Sequence, residues 1–529
     1  MKKYILLFVA VLMAAFLSAC GVEQPDTVSY VLEAEPSRLD PAMTTALAES
    51  NTELQIFEGL TRLVDDVPQP ALAKSWDISA DGRVYTFHLR DGIEWSDGTP
   101  ITAGDIEYSW KRVVDPDVAS ENAYMLFCID KAEDYFKKKA SSDEVGVKAL
   151  DDKTLEVRLK EPTSYFLNLT AFHCYYPVPR KLVEAKPDTW AADAEGMVSS
   201  GPFKIVSWNH SSEIKLVKNE RYWDADAVKL SHIDLPISDS QATRLTLVES
   251  NQANMTVEPP PADQERLEKM GLYKIAPYLG AYYYVFNVQQ KPFDDVRVRK
   301  AFALSIQRQG LIDHIIRAEK EPAYAWVPPG LKDKATGRDF REEGGNLISE
   351  DPERARNLLR EAGYDENHPL PPVTILFNTN EMHKAVAEAI QAMWKDNLGV
   401  SVSLMNQESK VFMASRAQGD YQVARASWIA DYADPMTFLD VFADEENDAQ
   451  YHNTAYNELI RQAKATNDEA RRMAYMHEAE QMLFDDCVII PIYYTTQPYV
   501  AQPYIKGYHW SQLGLVDFKN AYIDEGERT

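Results

Sequence analysis

Apolar and polar positions change period repeatedly along the chain, and helical patterns are interspersed with strand patterns as in layered α/β or α+β folds. Tyr85-Thr86-Phe87-His88-Leu89 alternates like a half-buried strand and runs into the turn dipeptide Asp91-Gly92. Ser96-Asp97-Gly98-Thr99-Pro100 makes a second turn, after which Thr102 sits where a helix N-cap belongs, with Ile106 and Trp110 on one face of the helix it opens. Asp351-Pro352 opens another helix. Asp caps it, Pro suits the first turn, Ala355, Leu358, Leu359 and Ala362 form an apolar stripe, and Gly363 ends it. The spacing of Ala385, Val386, Ala389, Ile390, Met393 and Trp394 predicts a further helix over about 381–398, with Gly399 turning the chain into a strand over 400–404.

The N-terminus follows a different rule. Lys2 and Lys3 precede an apolar run from Ile5 to Leu17, shorter than the roughly 20 residues a membrane-spanning helix needs. Residues 1–19 therefore read as a secretion signal. Leu17-Ser18-Ala19-Cys20 resembles the cleavage box of bacterial lipoproteins, which implies that Cys20 is lipidated and that 20–26 is a tether. Two acyl chains hold a soluble domain at a bilayer without a spanning helix. The expected location is the periplasm or the outer face of the cell membrane.

With 529 residues, two or three domains are expected, and 45% apolar and 11% aromatic residues give a globular composition. The net charge of -27 becomes -29 when Lys2 and Lys3 leave with the signal, and the mature chain has no basic cluster to neutralise phosphates, which argues against nucleic acid as a partner. Cys128, Cys174 and Cys487 remain after processing, so at least one thiol stays free; a Cys128–Cys174 bridge and buried unpaired thiols are both open. The chain lacks a Gly-x4-Gly-Lys-Ser/Thr loop, a Gly-x-Ser-x-Gly elbow and a His-Glu-x-x-His motif, and His477-Glu478 has no second histidine at the required spacing. No enzyme activity, cofactor or metal is expected.

Ala73-Lys74-Ser75-Trp76, Asp81-Gly82, Tyr85 to Arg90, Gly92 to Ala103 and Asp105-Ile106 closely resemble the signature of the family 5 extracellular solute-binding proteins. Gly201-Pro202-Phe203-Lys204, Asn219 to Trp223 and Phe293 to Ala301 follow in family order, so the likeness covers nearly the whole mature chain. Gly399-Val400, Asn406-Gln407-Glu408 and Val423-Ala424-Arg425-Ala426-Ser427-Trp428-Ile429-Ala430-Asp431-Tyr432 resemble the oligopeptide-binding branch that serves ABC peptide importers. The resemblance implies an α/β fold of three-lobed periplasmic-binding-protein type, a class II-like clamshell with two hinge crossovers and an extra inserted domain. Lobe I is expected to combine 27–60, 191–286 and 500–529. Lobe II is the insertion 61–190, lobe III is 287–499, and the hinges fall near Phe286 and Tyr499.

A receptor for varied peptides grips what all peptides share: a charged amino end, a regular backbone and a carboxylate. The resemblance places Asp431 on the amino end, and an ammonium enclosed away from water needs such an anion. Asp434-Pro435 fits the local role of helix start better than Asp431 does. Ser427 and Ile429 are expected to offer main-chain groups from an exposed strand edge. Across the cleft, Ala46 and Leu47 match the stretch that pairs with the ligand's other edge, with ordinary sheet packing as the alternative. Arg416, Arg425 and His383 match positions that neutralise the carboxylate of peptides of different lengths, His383 as a cation or a neutral donor; each is otherwise a surface residue. Trp428 is expected to line a side-chain pocket or to sit in the core, and Tyr493 to contact ligand or stiffen the hinge. Ser409 and Ile429 depart from relatives that carry a tryptophan and a cysteine there, so side-chain preference does not transfer.

The expected function is capture of short oligopeptides between two closing lobes by a monomeric, lipid-anchored protein that delivers them to a membrane permease. The alternative is the same fold binding a dipeptide, a nickel chelate, an oligosaccharide or a signalling peptide.

Overall fold

A computed structural model describes residues 26–316, 319–333, 335–443 and 447–528. The signal segment, Cys20 and the tether up to residue 25 lie outside the described residues.

A seven-stranded, a six-stranded and a four-stranded sheet form the body. In the first, Thr27–Val31 lies at the centre, parallel to both His232–Pro236 and Met255–Val257. The last four residues of this strand are buried, as expected of a strand covered on both faces. Glu213–Lys218 and Phe203–Asn209 extend the sheet on one side, and Gln497–Ala501 and Tyr273–Ala276 on the other. The six-stranded sheet runs Glu321–Pro322, Ile489–Tyr494, Gly280–Phe286, Val423–Ile429, Val373–Asn378 and Val402–Gln407. The four-stranded antiparallel sheet, Ala73–Ile78, Val84–Leu89, Thr154–Arg158 and Val147–Asp151, belongs to the segment between the first strands of the seven-stranded sheet.

The sequence patterns map onto these elements. Val84–Leu89 buries Tyr85, Phe87 and Leu89. Thr102 caps Ala103–Val113 by accepting from the Asp105 N–H, and Asp105 returns the bond to Thr102. Asp351 caps Pro352–Glu361, and Gly363 takes φ +93° just beyond it. Asn380 accepts from Met382 and His383 N–H to start Glu381–Leu398, whose Val386, Ala387, Ile390 and Trp394 are buried. Gly399, at φ +70°, turns the chain into a strand that begins at Val402, two residues later than the pattern suggested. One apolar core runs through the first and third sheets and one face of the second; a separate core fills the second sheet's other face beneath Glu381–Leu398.

The chain crosses between the two large sheets between Ala276 and Gly280, and again between Tyr494 and Gln497. This corrects the hinges expected near Phe286 and Tyr499. Gly280–Phe286, counted with lobe I from the sequence, pairs along its length with Val423–Ile429 and belongs to the second sheet. All seven of its residues are buried, so its apolar run says nothing about which sheet it joins. Tyr499 lies inside Gln497–Ala501 of the first sheet.

Cys128, Cys174 and Cys487 are free thiols. Burial pushes Cys128 up to about 11 and Cys487 up to about 12, so all chemistry that needs a thiolate is suppressed at neutral pH. No described helix is long and apolar enough to cross a membrane.

Candidate functional site

The strand Val423–Ile429 is interior to its sheet, which corrects the exposed edge expected of it. The edge survives in part. Its parallel partner Val373–Asn378 registers with it only at Val423 and Ala424. On the other side the Ala430 N–H donates to Leu279 O at 2.8 Å. Antiparallel alternation then directs the main-chain groups of Trp428 and Ala426 toward Gly280–Phe286, and those of Ser427 and Ile429 away from it, past the point where the parallel pairing stops. A Cβ on Gly280 would fall 2.5 Å from Ile429 Cδ1, so only glycine lets Ile429 sit this close.

Asp431 follows this strand. The local structural work is done by Asp434, which accepts from the Met436 N–H at 3.0 Å and holds the buried Arg472 guanidinium at 2.6 and 2.9 Å. The Asp431 N–H donates to Thr437 Oγ1 at 3.1 Å, which leaves its carboxylate for another task. Burial pushes that carboxyl up to about 6, partly opposed by a hydrogen bond from the Tyr124 hydroxyl. No basic side chain among the described residues forms an ion pair with it. A desolvated carboxylate with only a phenol beside it is poised for a cation.

Asp431 lines a narrow pocket with about 40 Å³ of room for water. Asp431, Tyr432 and Ala433 make one wall; Leu54, Phe172, Tyr176 and Leu513 belong to the opposite ones. Asp431 thus lies between the parts of the molecule that the two crossovers join. Tyr124 reaches it from the insertion, and Tyr165 of the insertion stacks on Tyr432 at 4.5 Å with the rings 4° apart. No local pattern in the sequence distinguished Tyr124 and Tyr165 from the other tyrosines.

A second cluster gathers Arg425, His383, Ser427 and Tyr493. The Arg425 guanidinium lies 4.9 Å over the Tyr282 ring and reaches Asn378 Oδ1 at 3.4 Å and Ser427 Oγ at 3.2 Å. Tyr493 stacks on the other partner of that arrangement, Tyr282, at 4.9 Å. His383 Nδ1 lies 3.3 Å from the Tyr282 hydroxyl. Burial, and then the Arg425 charge, push His383 down to about 4, so at neutral pH it is an uncharged donor or acceptor rather than a cation.

Arg416 does not join this cluster: Nε and Nη2 both lie 2.7 Å from Asp448 Oδ2, so its charge is met inside the lobe. Trp428 is half-buried against the large core, with no hydrogen-bond partner for its buried indole N–H. Ala46 and Leu47 form neither an edge nor sheet packing. Ala46 is the N-cap of Leu47–Ile56, its N–H donates to Glu49 Oε2 at 3.2 Å, and its carbonyl accepts from Ser50 N–H at 3.1 Å. An acidic residue three positions after the cap draws these donors into a helix start. Elsewhere Asp333, Glu343 and His477 bring ligand atoms within 4.8 Å of one another, but Arg338 already pairs with Glu343 at 3.5 Å, which supplies the counter-charge a cation would bring.

Two α/β sheets joined by two crossovers, with a cleft that holds an uncompensated carboxylate, define a clamshell ligand-binding protein. The model of the bacterial extracellular solute-binding proteins, family 5, matches residues 67–450, and the chain belongs to that family. It is 36% identical to the oligopeptide-binding protein OppA of Bacillus subtilis, over 99% of each chain. Among solved structures it is similar to the unliganded open form of the periplasmic murein tripeptide binding protein MppA, with a TM-score of 0.79, 31% identity and coverage of 94% and 98% of the two chains. It is also similar to Haemophilus influenzae OppA in complex with the peptide RPPGFSPFR, with a TM-score of 0.76, 32% identity and coverage of 95% and 99%.

Proposed function

We propose that this chain is the extracytoplasmic peptide-binding component of an ABC importer, taking short oligopeptides between its two large lobes and handing them to a membrane permease. The observation that carries the reading is Asp431: a carboxyl pushed up to about 6 by burial, lining the cleft with no cation among the described residues to balance it. The ammonium of a peptide meets that need, and the free main-chain groups of Ser427 and Ile429 run away from it as a strip on which an extended backbone lies. The Arg425 guanidinium, with neutral His383 beside it, receives the carboxylate of peptides long enough to reach it. The names of the relatives, which bind oligopeptides or a murein tripeptide, support the same ligand class.

Closure is favoured because the ligand contacts both lobes only when they meet. The signal sequence and the cleavage box at Cys20 support export and a lipid anchor, and the protein acts as a monomer at the outer face of the membrane or in the periplasm. It performs no chemistry on the peptide.

Calorimetry with one tripeptide in free-amino and N-acetylated forms tests the reading. The acetylated peptide is expected to bind at least about 100-fold more weakly, since it leaves the buried carboxylate unpaired. Equal affinities would remove the peptide assignment.

A further inference from the structure

We infer that the insertion is the surface on which the lobe of the six-stranded sheet comes to rest, with Tyr165 as a positioning residue that raises the affinity for every peptide by one common factor; this rests on the reading above that peptides are taken between closing lobes. Two contacts far apart in the chain carry it. Tyr165 of the insertion lies flat on Tyr432, ring centroids 4.5 Å apart and planes 4° apart, and the Arg472 guanidinium sits 5.4 Å over the Tyr165 ring. In the second contact the turn at Gly82, between two strands of the four-stranded sheet, meets Asn467, between the helices Thr454–Lys464 and Glu469–Asp485. A Cβ at Gly82 would fall 2.6 Å from Asn467 Oδ1, and the glycine takes φ +69°, so its lack of a side chain serves both the close approach and the left-handed backbone.

Each side of the first contact is anchored in its own body. Phe166, next to Tyr165, is fully buried in the insertion, 4.9 Å from Tyr85 and 6.2 Å from Trp110, both edge to face. The Tyr165 carbonyl accepts from the Asn168 N–H at 2.9 Å, which fixes its backbone. Opposite, Arg472 is buried and gripped by both oxygens of Asp434. Groups already held lose little freedom when they meet, so the contact keeps most of its attraction. Tyr432 lines the pocket beside Asp431, whereas Tyr165 is no part of that lining among the described residues. Tyr165 therefore acts on a ligand only through the lobe it holds.

A contact between lobes that includes no ligand changes the fraction of molecules able to bind, and that fraction multiplies every affinity alike. An aromatic stack with a cation over it is equivalent to about tenfold. Calorimetry on the full mature protein, with one tripeptide in free-amino and N-acetylated forms and one tetrapeptide, is expected to show Tyr165→Leu weakening all three by the same factor of about ten. Tyr165→Phe keeps the ring and is expected to stay within about twofold of wild type. A loss confined to free-amino peptides would mean that Tyr165 serves Asp431 alone, and the common factor would fall while the amino-end reading stands. An equal loss for all three with no penalty for acetylation would sustain the common factor and remove the amino-end reading.

A second measurement needs no peptide. Asn467 Cγ would lie 3.0 Å from a Cβ at Gly82, close enough for cysteines at the two positions to bridge. The rate at which the Gly82→Cys/Asn467→Cys variant forms that disulfide under a fixed oxidant, followed by mass spectrometry of the bridged fragment, reports how often the two bodies meet. Adding Tyr165→Leu is expected to slow it about tenfold and adding Tyr165→Phe to leave it within about twofold, because one motion makes both contacts. An unchanged rate with Tyr165→Leu, or no bridge in the folded double-cysteine variant, overturns the inference whether or not any peptide binds.

Discussion

The two ends of the segment from Arg425 to Asp431 treat charge in opposite ways. At one end Asp431 is half-buried, pushed up to about 6, and unbalanced by any basic group among the described residues. At the other, Arg425 is spread over a tyrosine ring, an amide oxygen and a serine hydroxyl, and its neighbour His383 is driven to the neutral form. The first arrangement stores an electrostatic demand that one chemical group satisfies. The second holds a guanidinium in place with neutral groups that are easily exchanged. On the proposed reading the amino group of every peptide starts at the same place while the carboxylate moves with length, so a fixed and costly site suits the first end and an adaptable one suits the second.

The largest expected effect comes from removing that contrast. Asp431→Asn keeps the shape and the hydrogen bond to Tyr124 but deletes the anion, and it should weaken a free-amino tripeptide by about 3–5 kcal/mol, about 150-fold to a few thousandfold in calorimetry. It should also abolish the difference between free and acetylated peptides. A loss below about tenfold would place the cation-binding demand elsewhere.

The smaller effect sharpens the other side. Arg425→Gln is expected to cost about tenfold in affinity, and the loss should be concentrated on peptides of one length because only their carboxylates reach the guanidinium. Arg416→Gln should change affinity by no more than about twofold while lowering thermal stability, because Asp448 already holds that guanidinium. A length series measured on both variants checks this, and an equal loss for the two would erase the distinction between them.

Local rules carried the fold a long way wherever a cap or a stripe marked an element. Glu381–Leu398 is bounded by Asn380 and Gly399 and has four buried apolar positions, and Pro352–Glu361 is equally well marked. The signature stretches also pointed to Asp431, which lines the pocket, and to Arg425, which lies over the Tyr282 ring. What the chain did not announce are pairings between distant residues. Gly280–Phe286 is apolar throughout, and only its hydrogen bonds with Val423–Ile429 assign it to the second sheet and move the crossover. Arg416 is satisfied by Asp448, on a loop 32 positions away. Tyr124 and Tyr165 come to the site from the insertion with no spacing that ties them to Asp431 or Tyr432. Ala46 reads as a strand partner by likeness, yet Glu49 turns it into a helix cap.

The affinity of one free-amino tripeptide between pH 4 and pH 7.5 tests the central claim most directly. A carboxyl raised to about 6 in the free protein carries a penalty for its charged form that appears as pH rises through 6, and the free protein loses that share of its stability there. Peptide binding pays back this penalty only through the anion, so the proton must leave first. Binding should be nearly flat from pH 7.5 to 7 and about tenfold weaker at pH 5 than at pH 7, with a midpoint near 6. Asp431→Asn should be flat throughout. A wild-type profile that stays level down to pH 4.5 would contradict the account, because it would mean that the carboxyl ionises as it does in water and that nothing in the cleft is waiting for a cation.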